Sequence, residues 1–544
     1  MLRVWWKEAV VYQVYWRSFY DTNGDGYGDL EGVIDKLDYI KELGIDVIWL
    51  NPCYESPDID NGYDISDYYR IMDKAGDMET WERLLKAVHE RGMKLIMDLV
   101  VNHTSNKHPW FLESSASKNN PKRDWYIWKD PVDGKEPNNW RSYFTPSAWE
   151  YDSKTGQYYM HSFAIEQPDL NWDNPEVRQE IYKMMRFWLD KGIDGFRLDV
   201  INLLAKLKGF PNVEHPQTIN YLGNNPGIHE YLQEMNREVF RHYDIMTVGE
   251  IPFVKPEDGL LYVGEDRHEL HTLFHFEVAD DMPTWDMQRF KDIQKRWYEG
   301  LKGKGTNSQF LNNHDHTRQV TRYGNDQAYR KESAKLFATM IHTLPGIPYI
   351  YQGEEIGMTG VRFNSIEDYQ DIAMKNKYKE EVDKGRDPNE VLDSLILLSR
   401  DNSRTPIQWD DSANAGFTTG QPWIKVNPNY KEINVKESLE DPDSVFYYYK
   451  RLIKMRKENP VMVYGDYNDL SVGDEHLYVY TRKWEDSLWL IILNHSDHST
   501  VFKLDSVLDE TNKQLKLANY SDVTEKESIQ FTTLRPHEAR IYQL

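Results

Sequence analysis

The chain has 544 residues, more than one ordinary domain uses and enough for two or three. Hydrophobic residues make up 40% and charged residues 28%, the profile of a globular chain. A formal net charge of −24 disfavours nucleic acid and anionic membrane as partners and leaves a neutral small molecule easier to accommodate.

The opening "MLRVWWKEAVVYQVYW" holds no long apolar core before a small-residue cleavage site, so no signal peptide is expected. "VVYQVYWRSF" (10–19) reads as a strand. Residues 30–43 read as a helix, with Leu30, Val33, Ile34, Leu37, Ile40 and Leu43 on one stripe. "VIWLNP" (47–52) is a second strand. It is followed by Cys53, the single cysteine, which permits no internal disulfide and suits a reducing, cytoplasmic compartment. A second helix spans 78–90 and a third strand 94–103. Residues 104–172, rich in Asn, Pro, Trp, Tyr and Lys, show no clear helix. So long an irregular stretch is characteristic of an inserted functional subdomain.

Order resumes at Asn174 and Pro175, an N-cap followed by proline at the first helical position, and that helix stops at Gly192. Strands are then predicted at 194–202, 246–251, 271–278, 308–315 and 346–355, with a helix near 227–240 and another near 443–458. Eight strands mostly separated by helices give an α/β fold, a (β/α)8 TIM barrel. The alternative, an open doubly wound sheet, lacks a glycine-rich phosphate loop after its first strand. From about residue 466 short alternating runs such as "HLYVYTR" and "LWLIILN" indicate an antiparallel β-sandwich. The expected division is therefore a barrel (1–103 and 173–465), a loop-rich insertion after strand 3 (104–172) and a C-terminal β domain (466–544). No run of about 18 apolar residues is present, so no membrane span is expected.

In such a barrel the site lies at the C-terminal strand ends. The third strand ends with Asp98, Asn102 and His103, the fourth with Arg197 and Asp199, the fifth with Glu250 and the seventh with His314 and Asp315. Any one of these could be a cap or a turn former; four strands converging on one mouth are harder to explain so. Arg197 and Asp199 are two apart and share a face. A buried aspartate needs a charge partner to stay ionised, and an oriented carboxylate beside a second carboxyl group is what glycosidic-bond cleavage uses.

The motifs "DLVVNH" (98–103), "QPDLN" (167–171), "GFRLDV" (195–200), "VGE" (248–250) and "NNHD" (312–315), with "DNGYD" (60–64) and "SRTPIQWDD" (403–411), resemble the α-amylase superfamily (glycoside hydrolase family 13). Within it they are similar to the oligo-1,6-glucosidase and dextran glucosidase group. The resemblance covers essentially the whole chain. It implies Asp199 as nucleophile, Glu250 as general acid/base and Asp315 as the third carboxylate. His103 and His314 match sugar-binding histidines, and Arg197 the arginine that fixes the nucleophile and keeps it ionised, while burial keeps Glu250 protonated. Asp60, Tyr63 and Arg404 match the groups that close the nonreducing end of the pocket. Phe163 and Gln167 are expected to line the same pocket. Val200 matches the position where Val accompanies α-1,6 and Ala α-1,4 preference. Trp16, His275, His316 and Thr317 depart from the family pattern and put linkage and acceptor choice in question.

Oxygen-bearing residues recur through "DTNGDGYGD": Asp21, Asn23, Asp25 and Asp29, with the Tyr27 carbonyl between the last two. Gly26 stands where a calcium loop turns sharply, but the Glu of a helix–loop–helix calcium hand is absent. The resemblance points to a structural Ca²⁺ here and to no organic cofactor. The reading is therefore an exo-acting, retaining α-glucosidase that releases glucose from the nonreducing end of a small oligosaccharide, preferring α-1,6 linkages, as a monomer or weak homo-oligomer. Trehalose-6-phosphate hydrolase, α-1,4-glucosidase and sucrose-active enzymes remain open on the same scaffold. A noncatalytic transporter heavy chain would need a membrane anchor.

Overall fold

Eight short parallel strands form the centre of the computed structural model, which describes residues 3–504 and 508–544. Residues 1–2, part of the N-terminal stretch read for a leader, and 505–507, inside the expected tail domain, lie outside them. The strands are β1 (Val11–Val14), β2 (Val47–Leu50), β3 (Lys94–Leu99), β4 (Gly195–Leu198), β5 (Met246–Glu250), β6 (Thr272–Phe274), β7 (Ser308–Gln309) and β8 (Ile347–Tyr351). They run in the order β6-β5-β4-β3-β2-β1-β8-β7. A parallel bridge between Leu273 and Asn307 joins the two edges and closes the barrel. Every strand falls inside a predicted run, and each is shorter than its run. The chain leaves the ladder where it turns outward, so the first run gives four strand residues and then a 3₁₀ turn at Trp16–Ser18.

The helix expected over 30–43 is two helices, Leu30–Asp35 and Leu37–Leu43. Lys36 breaks them with ψ 7°, and its ammonium lies 4.0 Å from the Tyr20 ring centre and 4.5 Å from that of Trp409. The helix Pro175–Lys191 starts and stops as expected: the Asn174 side chain accepts from the Glu176 amide and Gly192 adopts φ 106°. Its buried Val177, Ile181, Met185 and Trp188 pack it onto the barrel.

The insertion is less irregular than expected. It holds a short helix, Pro109–Ser114, started by proline and capped by His108. It also holds a three-stranded antiparallel sheet of Trp128–Lys129, Gln157–Met160 and Trp149–Asp152. Beyond β8, helices Ile372–Asp383 and Pro388–Leu395 lead to a turn, Asp401–Arg404, that returns to the barrel mouth. The tail has a five-stranded antiparallel sheet and a two-stranded one. Val479 and Ile492 of the first share a buried cluster with Phe502 and Leu534 of the second, which is how a sandwich core forms. Among the described residues no helix is long and apolar enough to cross a membrane.

Candidate active site

Strand register builds the centre of the site. Asp98 on β3 and Val248 on β5 both pair with Arg197 on β4, so the Arg197 side chain enters the barrel between two neighbours. Its guanidinium is 1% exposed and meets three carboxylates: Nη1 donates to Asp98 Oδ1 and Asp199 Oδ1, and Nη2 to Glu250 Oε2, all at 2.6 Å. Asp98 also accepts from Trp49 Nε1 at 2.7 Å. Glu250 Oε2 further accepts from the Val200 amide at 3.0 Å. That amide is aimed by a backbone at φ 35°, the left-handed region that a β-branched residue rarely enters.

One guanidinium shared by three carboxylates, two of them buried, changes the expected proton balance. Burial pushes Asp199 well above the usual carboxylate range; Glu250 and Asp98 add to this and Arg197 opposes it. Burial likewise raises Asp98 to about 6 against the pull of Arg197. Arg197 therefore does not hold Asp199 low by itself, as the sequence suggested. Asp98 and Asp199 are thus both pushed toward the protonated form, and their titrations belong to the pair.

Asp315 is the contrasting carboxylate. Burial opposes its ionisation, but the Arg404 and Arg400 guanidiniums hold it well below the usual range. Arg404 Nη2 donates to Asp315 Oδ1 at 2.6 Å, and Arg400 Nη1 lies 3.6 Å from the same oxygen. His314 is buried and its ring is kept neutral by desolvation. Gln13 contacts its Nδ1 at 2.8 Å, leaving Nε2 toward Tyr63 Oη at 2.8 Å and Asp315 Oδ2 at 3.1 Å.

These groups open onto a cavity of about 220 Å³. Asp60, Tyr63, His103, Phe163, Asp199, Val200, Glu250 and Asp315 line it, as read from the sequence. Gln167 sits behind the wall, donating to Asp60 Oδ2 at 3.2 Å and contacting His103 Nε2 at 3.2 Å. Arg197 and His314 are likewise buried supports. The partner of Asp60 is Arg400, whose Nη1 lies 3.2 Å from Oδ1. Arg400, not Arg404, lines the cavity, and its Nη2 is fixed by Asp371 at 2.8 Å. Sequence reasoning also missed Tyr143, Phe144, Pro252, Phe276 and Asp280 on the wall.

Of the four departures, only His316 reaches the cavity. It contacts Asn313 Oδ1 at 2.9 Å and Asp280 Oδ1 at 3.3 Å. His275 stacks on Trp297 at 4.1 Å instead. Thr317 donates to the Leu397 carbonyl, and Trp16 to that of Pro52.

The α-amylase catalytic-domain family matches residues 13–465. This chain belongs to the α-amylase family. Over 561 residues it is 56% identical to the oligo-1,6-glucosidase of Parageobacillus thermoglucosidasius, covering 100% of both chains. Among solved structures it is similar to a trehalose-6-phosphate hydrolase of Bacillus licheniformis, with TM-score 0.95, 47% identity and 99% and 100% of the two chains covered. The isomaltulose synthase of Protaminobacter rubrum matches with TM-score 0.96 and 44% identity over 100% of both. α-Amylase-family enzymes are glycoside hydrolases that act through two carboxyl groups. The Asp199–Glu250 arrangement on adjacent strands supplies such a pair.

The 21–29 loop turns as a cation loop would, with Gly26 at φ 94° and no room for a Cβ against Gln421. Its oxygens also serve the loop itself. Asp21 accepts from the amides of Asn23, Gly24 and Gly26 and from Thr418, and Asp29 from Thr22 and Gly32. Asn23 and Asp25 each accept one loop amide and keep unused lone pairs. Among the described residues no group of three or more His, Cys, Asp or Glu side chains is placed to hold a metal ion, so the fit to a cation is partial.

Proposed function

We propose that this chain is a retaining, exo-acting α-glucosidase that releases glucose from the nonreducing end of short α-1,6-linked glucosides. The observation that carries the reading is a cavity holding Asp199, Glu250 and Asp315 and bounded by the Asp60–Arg400 pair. A terminal glucosyl ring fills this space. Asp315 and His103 reach its hydroxyls, and Tyr63 and Phe163 cover its apolar faces.

Asp199 attacks the anomeric carbon while Glu250 gives its proton to the leaving oxygen. Glu250 then takes a proton from the water that frees glucose as the α anomer. Arg197 serves both steps. It aims Asp199 and stays bonded to Glu250 as charge passes between them.

Trehalose 6-phosphate is the competing substrate. Among the described residues Arg400 is the only lysine or arginine on the cavity wall, and Asp60 and Asp371 already bind it. Asp280 adds negative charge at the mouth. A neutral acceptor fits this surface better than a phosphorylated one. Val200 and the names of the full-length relatives support α-1,6 linkage.

The test is a set of initial rates on isomaltose, isomaltotriose, maltose, sucrose, trehalose and trehalose 6-phosphate. Isomaltose and isomaltotriose are expected to lead, with α-glucose appearing first by NMR. A higher kcat/KM on maltose or trehalose 6-phosphate would overturn the assignment.

We also propose a structural Ca²⁺ at Asp21, Asn23, Asp25, the Tyr27 carbonyl and Asp29, distant from the chemistry, with no organic cofactor. A cytoplasmic site of action, as a monomer or weak homo-oligomer, is proposed from the lone, buried Cys53 and the acidic surface.

A further inference from the structure

We infer that Phe253 is a stacking platform for the second acceptor sugar, the ring one beyond the sugar that leaves on bond cleavage; this rests on the α-glucosidase reading above. Glu250 must touch the leaving oxygen, so whatever is attached to that oxygen extends outward past Glu250. The chain after Glu250 builds that side: Pro252 lines the cavity, and Phe253 follows it at the rim.

Phe253 is 37% exposed, and its backbone sits at φ 64°. A large aromatic side chain in the left-handed region is strained, and such strain persists only where the surroundings enforce it. Here they do. Asn202 Nδ2 donates to the Pro252 carbonyl at 2.7 Å, and Asn224 Nδ2 to the Phe253 carbonyl at 3.3 Å. Asn202 Nδ2 also donates to Asn224 Oδ1 at 3.1 Å. Gly223 leaves the space beneath the ring, where a Cβ would lie 3.3 Å from Phe253 Cδ2. Three residues, Asn202, Asn224 and Gly223, thus hold an apolar ring at the surface.

The ring continues an aromatic wall. Phe163 and Tyr143, both on the cavity, stack at 4.9 Å with planes 8° apart. Tyr143 and Phe253 follow at 6.4 Å and 23°. The wall runs from the glucose cavity to the rim with rings in similar orientation. Glucosyl rings present apolar C–H faces that pack on aromatic faces, so the outermost ring suits a sugar that has already left the cavity.

The experiment compares Phe253→Gly and Phe253→Trp with the wild type. Kcat/KM is measured on disaccharide and trisaccharide in both the α-1,6 and the α-1,4 series. Glycine accepts the backbone conformation without strain, so the melting temperature of Phe253→Gly is expected to hold or rise. Its trisaccharide-to-disaccharide ratio is expected to fall about 3- to 10-fold, and Phe253→Trp to keep the wild-type ratio. An unchanged ratio in folded Phe253→Gly, or equal losses on both chain lengths, overturns the platform. A wrong linkage assignment shows separately, as wild-type preference for the α-1,4 series, and the chain-length ratio is then read in that series.

Discussion

Val200 carries two demands on one residue. Its side chain is 7% exposed and lines the cavity with Asp199, while its amide holds Glu250 through a strained backbone. Val200→Ala keeps the amide and removes the branched side chain proposed to meet the acceptor. One such contact is worth about 1–3 kcal/mol, or roughly 10–200-fold in discrimination. The isomaltose-to-maltose ratio of kcat/KM is therefore expected to move toward maltose by no more than this. If the ratio stays put, His316, the one departure that reaches the cavity, becomes the determinant. Asp199→Asn and Glu250→Gln are each expected to abolish nearly all turnover in a folded protein, because each removes one half of the double displacement. A variant retaining a tenth of wild-type kcat would contradict the roles. The positions of these residues were legible because charged side chains at strand ends stand out against apolar runs. The choice between Arg400 and Arg404 was not. Both lie in "SRDNSR", and only the path of the turn decides which guanidinium meets Asp60. The proton state of Asp199 was also hidden, since Asp98 joins the cluster only through strand register.

At the level of elements, the barrel was legible as eight β-rich runs and the helix ends as caps. Strand lengths were not, because apolar character continues into loops that pack under the site. The insertion concealed its small sheet, whose strands of two and four residues are too short for a periodic pattern. The 21–29 loop is the element with an open question of its own. Its self-made hydrogen bonds can hold the turn without help, yet Asn23 and Asp25 retain oxygen lone pairs. If Ca²⁺ binds the folded state, stability rises with ln(1 + [L]/Kd). At a hundredfold excess over Kd this is about 2.7 kcal/mol. Chelation followed by calorimetry is expected to lower the melting temperature, with kcat at moderate temperature preserved. An unchanged melt after metal loss is confirmed by elemental analysis would leave the loop as a self-closed turn.

For the whole molecule, buried histidines set the response to acid. Desolvation lowers His103 and His271 to about 4, and His108, His275, His342 and His495 to about 3. Unfolding returns each to its ordinary value near 6.5. Between these values the unfolded chain binds more protons than the folded one, so stability falls as pH falls through that window. Each histidine is fully favourable to the fold above about pH 6.5 and costs about 2 kcal/mol of stability by pH 5. Buried acids act in the opposite direction. Asp64 and Asp98 are raised to about 6 and Glu354 to about 8, each chiefly by burial, so the fold gains as they protonate on acidification. These three return part of the loss between pH 7 and 5, and Asp199, Asp60, Asp401 and Glu355, also raised by burial, act in the same direction. With more buried histidines lowered than the fold can offset, acidification from pH 7 to 5 is expected to lower the melting temperature. Calorimetry from pH 7 to 5 in one salt checks this, and His342→Gln, at a helix position away from the cavity, is expected to shrink the drop by removing one titrating group. A melting temperature that holds or rises on acidification would mean that the buried carboxylates, not the histidines, dominate the proton balance of the fold.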